Sequence, residues 1–316
     1  MTSAQDYAIL HDKIDRFQRS DRGPGKKKGG TTLGVDWTVR EILSWTRGYF
    51  KDGGILKPRL EAEILLAHVL DVERLHLYLS PDRPLTVDER TRFREIIKER
   101  RAQVPLQHLI GEVTFLGLRF RVGKEALIPR PESEELLEKA LDLALRDREI
   151  SCLDLGTGSG VLAVCLARYL PLARVTAVDL SREALSLARE NAELNNVFNR
   201  INFLESDWFN RVEGKFDLIV SNPPYIAVEE LASLPVEIRE HEPRVALDGG
   251  RNGVERIEAL TRRAREHMRP GASLLLEIGN GQGESVVERM RESGLVEAKV
   301  ERDLAGKERF VIAQCP

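Results

Sequence analysis

Asn222-Pro223-Pro224-Tyr225 follows, one residue on, the apolar run Phe216-Asp217-Leu218-Ile219-Val220. Two consecutive prolines remove two backbone donors and fix φ at about −65°, so neither helix nor ladder continues there. What remains is a rigid loop that presents acceptors, the Asn222 side-chain oxygen and the Pro223 carbonyl. A planar –NH2 group offers two donors in one plane and suits such a pair. The tetrapeptide reads either as a cradle for an amide or exocyclic amine, or as a plain turn after a buried strand.

A second candidate is Leu153-Asp154-Leu155-Gly156-Thr157-Gly158-Ser159-Gly160, between a strand-like run and a helix-like one. Glycines at alternate positions allow positive φ and close approach of a ligand to the backbone. A helix start behind them adds unpaired N–H groups. The G-x-G-x-G order, with Asp154 two residues ahead, differs from the G-x-G-x-x-G of dinucleotide sites. The next strand ends in Asp179, placed to accept both hydroxyls of a ribose or else to cap the helix of residues 181–195.

These residues need strands to carry them. Short apolar runs at 150–155, 174–179, 201–205, 216–221, 272–278, 296–300 and 309–314 alternate with helical patterns. That order predicts an α/β fold with a mostly parallel sheet and helices on both faces. The last two runs, joined by Asp303 to Lys307, predict a closing antiparallel hairpin. Gly156, Asp179, Asp207-Trp208 and Asn222 all fall at carboxyl ends of strands, where ligands of such sheets bind.

Ahead of the sheet the pattern changes. Thr38/Glu41 and Thr86/Glu89 have capping-box spacing, and further helices fit Arg59 to Leu70 and Glu73 to Leu79. This helical region carries no catalytic constellation; it either recognises a partner or caps the fold. Gly111 to Val122 reads as a β-hairpin around Gly117, and a helix is expected from Glu132 to Leu145. Residues 1–35 contain a Gly- and Lys-rich linker, Asp21 to Gly30, and are expected to be a solvated tail.

Taken together, the glycine loop, Asp179 and Asn-Pro-Pro-Tyr resemble class I S-adenosylmethionine-dependent methyltransferases that act on amino groups. Leu127-Ile128-Pro129-Arg130-Pro131-Glu132-Ser133-Glu134 narrows the resemblance to the HemK/PrmC protein-glutamine methyltransferases. Glu242-Pro243, Ala246-Leu247-Asp248-Gly249-Gly250, Glu277-Ile278-Gly279 with Gln282, and Asp303-Leu304-Ala305-Gly306 match the same family. The resemblance spans roughly Val35 to Gln314. Ser133 stands where Thr is usual and Asn252 where Asp is common, and neither is expected to touch the cradle.

The resemblance implies a Rossmann-like class I methyltransferase domain at 124–316. It also implies a helical substrate-recognition domain at 36–108 and a β-hairpin linker at 109–123. It implies S-adenosyl-L-methionine as cofactor, held by Gly156, Thr157, Gly158, Ser159, Gly160, Asp179, Trp208 and Asn222. Trp208 would flank the adenine, its other reading being an ordinary core aromatic. Asn222 and the Pro223 carbonyl would hold the substrate –NH2, with Pro224 and Tyr225 as walls; these four are the catalytic and substrate-binding candidates. Glu277 would orient the Asn222 loop or pair with Arg130. The expected substrate is the glutamine of the Gly-Gly-Gln motif in class 1 peptide chain release factors. A large-subunit ribosomal protein is the alternative, and adenine in DNA a weaker one.

Composition agrees with a protein substrate. Across 316 residues the net charge is −3, with a pI near 6.2, so there is no overall electrostatic footprint for nucleic acid. Cys152, Cys165 and Cys315 lack metal-ligand spacing, and no metal is expected. No apolar run approaches the ~20 residues of a membrane span. A cytoplasmic monomer with no membrane or DNA partner is the expectation.

Overall fold

The computed structural model describes residues 37–144 and 148–316. The expected tail at 1–35 lies outside the described residues, as does Leu145, the last residue of the expected helix from Glu132. The described chain divides into two compact units between Ile110 and Gly111.

The first unit is helical: α1 (Val39–Asp52), α2 (Pro58–Leu70), α3 (Arg74–Leu79), α4 (Val87–Arg101) and α5 (Leu106–Ile110). Both capping boxes form, Thr38 with Glu41 and Thr86 with Glu89, because each satisfies orphan N–H groups from within four residues of chain. In α1 the residues Val39, Ile42, Thr46 and Phe50 fall on one buried face. Phe50, Leu65, Leu66, Phe93 and Ile97 fill the core. Inside it Arg100 Nε donates to Glu61 Oε2 at 2.6 Å, with both side chains nearly buried. A second guanidinium N–H reaches the Val104 carbonyl at 3.0 Å. Helix α5 carries this unit to Ile110, two residues beyond the boundary expected from the sequence.

The second unit opens with the hairpin β1 (Glu112–Phe115) and β2 (Leu118–Arg121), followed by α6 (Pro131–Leu143). The sheet strands are β3 (Ile150–Leu155), β4 (Ala173–Asp179), β5 (Ile201–Glu205) and β6 (Phe216–Ser221), with α7 (Val161–Tyr169) and α8 (Arg182–Leu194) between them. A long connection with 3-10 turns and the short α9 (Val236–Arg239) leads to α10 (Glu255–Ala264). Then follow β7 (Met268–Glu277), α11 (Gly283–Glu292), β8 (Val296–Arg302) and β9 (Glu308–Gln314). The strand order is β5-β4-β3-β6-β7-β9-β8. The first five are parallel, and β9 runs antiparallel to both β7 and β8. This is the class I methyltransferase sheet, with the expected closing hairpin.

Alternation along the strands divides the core. Cys152, Leu218, Val220, Leu275 and Phe310 pack with α6 and α7 on one face. Leu153, Ile219, Leu274, Leu276 and Val311 pack with α10 and α11 on the other. Period-2 alternation with both sets apolar is the mark of a sheet covered on two sides. Cys152, Cys165 and Cys315 are free and buried.

The hairpin is built into this second unit. Asn191, fully buried in α8, accepts from the Arg121 N–H at 2.7 Å and donates to the Arg121 carbonyl at 3.0 Å. Glu134 accepts from the Leu116 N–H at 2.8 Å. Among the described residues, no helix is long and apolar enough to cross a membrane.

Breaking a buried ion pair leaves one charge stranded, which costs about 3–5 kcal/mol. Arg100→Ala is expected to lower the unfolding free energy of the helical unit by about that amount. Arg40→Ala, which removes the exposed Arg40–Asp82 pair, should change it by less than ~1 kcal/mol. Denaturant titration followed by a helical-unit probe such as Trp45 measures both; equal effects would contradict the buried pair.

Candidate active site

The sheet reverses its strand order around β3, and the loops after β3, β4 and β6 meet there. Ser221 Oγ donates to the Leu155 carbonyl at 2.6 Å and ties the ends of β6 and β3 together. Asn222 is thereby held beside the start of the glycine loop. A cavity of about 500 Å³ opens over these ends, within the usual range for small-molecule sites.

The glycine loop is fixed from below. Gly156 and Thr157 N–H groups donate to the Val178 carbonyl at 2.8 and 2.9 Å. Thr157 Oγ1 and the Ala163 N–H both reach Asp154 Oδ2, at 2.6 and 3.0 Å. Asp154 Oδ1 is buried with no hydrogen-bond partner among the described residues. Burial lifts the Asp154 carboxyl to about 7 against the two hydrogen bonds that favour its charged form. Asp179 receives the Gly158 N–H at 2.8 Å and the Ser181 N–H at 2.9 Å. Its contact is therefore with the loop as well as with the helix start; Ser181 itself caps α8 through the Ala184 N–H. Burial raises the Asp179 carboxyl, and the N–H groups of Ser181, Gly158 and Leu180 oppose that.

Gly156, Thr157, Gly158, Ser159, Asp179, Trp208, Asn222 and Pro224 all line the cavity. Trp208 adopts a left-handed φ of 47°, uncommon for a bulky residue, which throws its ring over Gly156. Gly160, Pro223 and Tyr225 do not line it. Gly160 has φ 84° and sits where a Cβ would lie 2.9 Å from Ala188, so its role here is close packing of the loop against α8. Pro223 is buried. The Tyr225 ring packs on the second core face, and its hydroxyl donates to Glu277 Oε1 at 3.2 Å.

Behind Asn222 lies a polar network in which the sequence pointed to Glu277 and not to Ser133. Asn222 Nδ2 donates to Ser133 Oγ at 2.9 Å, and Ser133 Oγ donates to Glu277 Oε2 at 2.7 Å. The expectation that the Ser133 replacement stays clear of the cradle is corrected: Ser133 is its direct support. Glu277 does hold the Asn222 loop, while Arg130 pairs with Glu242 instead. Gln282 bridges the Gly279 N–H at 2.8 Å and the Tyr225 carbonyl at 2.9 Å, which gives the Glu-Ile-Gly-x-x-Gln segment a physical task. Gly253, at φ 72°, lies so close to the Tyr225 carbonyl that an added Cβ would sit 2.3 Å from it.

The chemistry follows from the donor set. Asp179, exposed backbone at the glycine loop and an aromatic ring over it fit a nucleoside-bearing cofactor. Asn222, with Nδ2 occupied by Ser133, has its oxygen left to accept a hydrogen bond. Among the described residues there is no metal-binding cluster.

Two outcomes follow from the carboxylates. Asp179→Ala should weaken S-adenosylmethionine binding by ten-fold or more, since hydrogen bonds to a charged acceptor contribute ~1.5–3 kcal/mol; unchanged affinity by calorimetry would remove Asp179 from the site. Asp154 has a folded pKa above its ordinary 3.8, so its stabilising contribution is complete below about pH 4 and lost as pH rises through about 7. Unfolding of wild type and Asp154→Asn at pH 5 and 8 should show a smaller fall in the variant; identical falls would contradict the shift.

Residues 41–111 match the family described as PrmC N-terminal domain, and residues 133–238 the Methyltransferase small domain. The release factor glutamine methyltransferase of Geobacter sulfurreducens is 40% identical over 276 residues, covering 87% of this chain and 96% of that protein. Its namesake in Chlorobaculum tepidum is 42% identical over 277 residues, 84% of this chain and 94% of that protein. A methyltransferase crystal structure from Pyrococcus furiosus shares the fold, with TM-score 0.50 and 22% identity over 69% of this chain and 98% of that one. With this sheet, this loop and near full-length identity of that order, the chain belongs to the release factor glutamine methyltransferase family and is an S-adenosylmethionine-dependent methyltransferase.

Proposed function

We propose that this chain methylates the side-chain amide nitrogen of a glutamine in peptide chain release factors, the glutamine of the Gly-Gly-Gln motif of class 1 factors. The observation that carries the reading is the Asn222 oxygen, left free to accept at the edge of the cofactor cavity. An amide nitrogen is a poor nucleophile because its lone pair is delocalised into the carbonyl. Acceptors on its N–H bonds favour a pyramidal nitrogen and direct its lone pair. In this reading Asn222 and the Pro223 carbonyl supply those acceptors, and Pro224 confines the flat amide. Bound S-adenosylmethionine supplies an electrophilic methyl group. The chain contributes orientation and electrostatics, not a nucleophile of its own.

A terminal amide offers little surface, so most binding energy has to come from elsewhere on the substrate. The helical unit supports a docking role: Leu56 is 94% exposed, and Leu75, Tyr78 and Leu79 are exposed near one another in sequence.

The test is incubation with a purified class 1 release factor and labelled cofactor, followed by mass mapping. Label on the Gly-Gly-Gln glutamine is expected; label on a ribosomal protein or on DNA alone would overturn the proposal. In single turnover with saturating cofactor, Asn222→Ala should slow transfer by ~10²–10³, the usual effect of deleting one preorganised polar group. Asn222→Asp keeps an acceptor and should be faster than the Ala form. An Ala variant as fast as wild type would refute the cradle.

A further inference from the structure

An asparagine amide has opposite chemistry at its two ends, and rotation by half a turn exchanges an acceptor for two donors. In the cradle only one orientation works. With the oxygen forward, Asn222 accepts from the reacting –NH2; with the nitrogen forward, N–H groups would face N–H groups. Nothing in Asn-Pro-Pro-Tyr itself decides between them.

The decision lies in the two residues behind it. Ser133, in the first turn of α6, is 4% exposed, and Glu277, at the end of β7, is 1% exposed. A serine hydroxyl has one proton to give. A carboxylate only accepts, so at 2.7 Å Glu277 accepts the hydrogen bond of that hydroxyl, while its other oxygen accepts from the Tyr225 hydroxyl. Ser133 Oγ is then left with lone pairs toward Asn222 at 2.9 Å, and only the amide nitrogen can answer them. Burial raises the Glu277 carboxyl, opposed by the Ser133 hydroxyl, Arg309 and the Tyr225 hydroxyl; both carboxyl oxygens receive hydroxyl donors, which is the geometry of a carboxylate.

We propose that Ser133 and Glu277 are positioning residues that set the polarity of the cradle, locking the Asn222 oxygen toward the substrate nitrogen. Neither exchanges a proton with substrate. The proposal rests on the glutamine-methyltransferase reading and adds to it a dependence on a hydroxyl at position 133. Thr at that position keeps the hydroxyl, and Ala deletes it.

The experiment compares wild type, Ser133→Ala, Ser133→Thr, Asn222→Ala and the Ser133→Ala/Asn222→Ala double variant. Single-turnover transfer to purified release factor is measured with saturating cofactor, and cofactor affinity by calorimetry. Ser133→Ala should be about ten-fold slower, equivalent to ~1.4 kcal/mol, with cofactor affinity within about two-fold of wild type. Ser133→Thr should recover most of the rate. The double variant should be no slower than Asn222→Ala, because the hydroxyl acts only through that amide. Three results would each overturn the proposal: full speed in Ser133→Ala, no recovery in Ser133→Thr, or losses that multiply in the double variant. Calorimetric cofactor binding shows which variants are folded, and the threonine form carries the test where the alanine form is not. Failure of wild type to methylate any glutamine would instead refute the underlying activity.

Discussion

The orientation of one side-chain amide is the constraint around which the second unit is organised. Asn222 stands at a strand end with an acceptor and a donor that are interchangeable by rotation, and the proposed chemistry needs only the acceptor. Any device that fixes it has to occupy the donor from behind. Ser133 and Glu277 do this from α6, a helix packed on the sheet, and from the end of β7, a strand within it. A network of this kind gains from its low-dielectric setting only when every member is satisfied. Here the carboxylate collects two hydroxyls, the serine both gives and receives, and the amide nitrogen has its partner.

The same loop is held at its far end by backbone contacts. Gln282 binds the Tyr225 carbonyl, and Ile226 bonds to both Leu247 and Gly249, so the long connection between β6 and β7 folds back on the residues it follows. Gly253 makes that return sterically feasible. On the cofactor side Asp179 serves two masters. Its carboxylate orders the Gly158 N–H and the start of α8 in the same position from which a ribose would be held. Asn191 extends the support outward, donating to the Ser159 carbonyl at 2.8 Å while pairing with Arg121 of the hairpin. The hairpin thereby reaches the glycine loop through a single buried side chain.

What was legible in the sequence was local. The carboxyl ends of β3 to β6, the G-x-G-x-G turn, both capping boxes and the Asp303–Lys307 turn each depend on neighbours within a few residues, and each forms as expected, whereas β7 begins at Met268 instead of 272 and β8 runs on to Arg302 instead of 300. Of the partners of the cradle, Glu277 was expected as a support of the Asn222 loop, but Ser133 was not, because only the packing of α6 on the sheet brings it to them. A serine in the first turn of a helix carries no signal of its tertiary contact. Arg130 illustrates the same limit: the sequence reading offered Glu277 as its partner, and topology gave it Glu242. Tyr225 was expected by resemblance as a wall of the site; the bond of its hydroxyl to the buried Glu277, and the packing of its partly buried ring against the second core face, had no signal in the sequence. The 3-10 turns between Val228 and Gly253 are short and closed by local bonds, such as Ala246 N–H to the Pro243 carbonyl and Gly253 N–H to the Gly250 carbonyl, and give no periodicity to read.

The most direct test of a fixed amide is spectroscopic. The side-chain NH2 of Asn222, assigned in a ¹⁵N-asparagine-labelled sample by its loss in Asn222→Ala, reports rotation and hydrogen bonding without any substrate. The account predicts two distinct, slowly exchanging protons, one shifted by its bond to Ser133 and returned to an ordinary position in Ser133→Ala. Two rapidly exchanging protons in wild type, indistinguishable from those of an exposed asparagine, would contradict it.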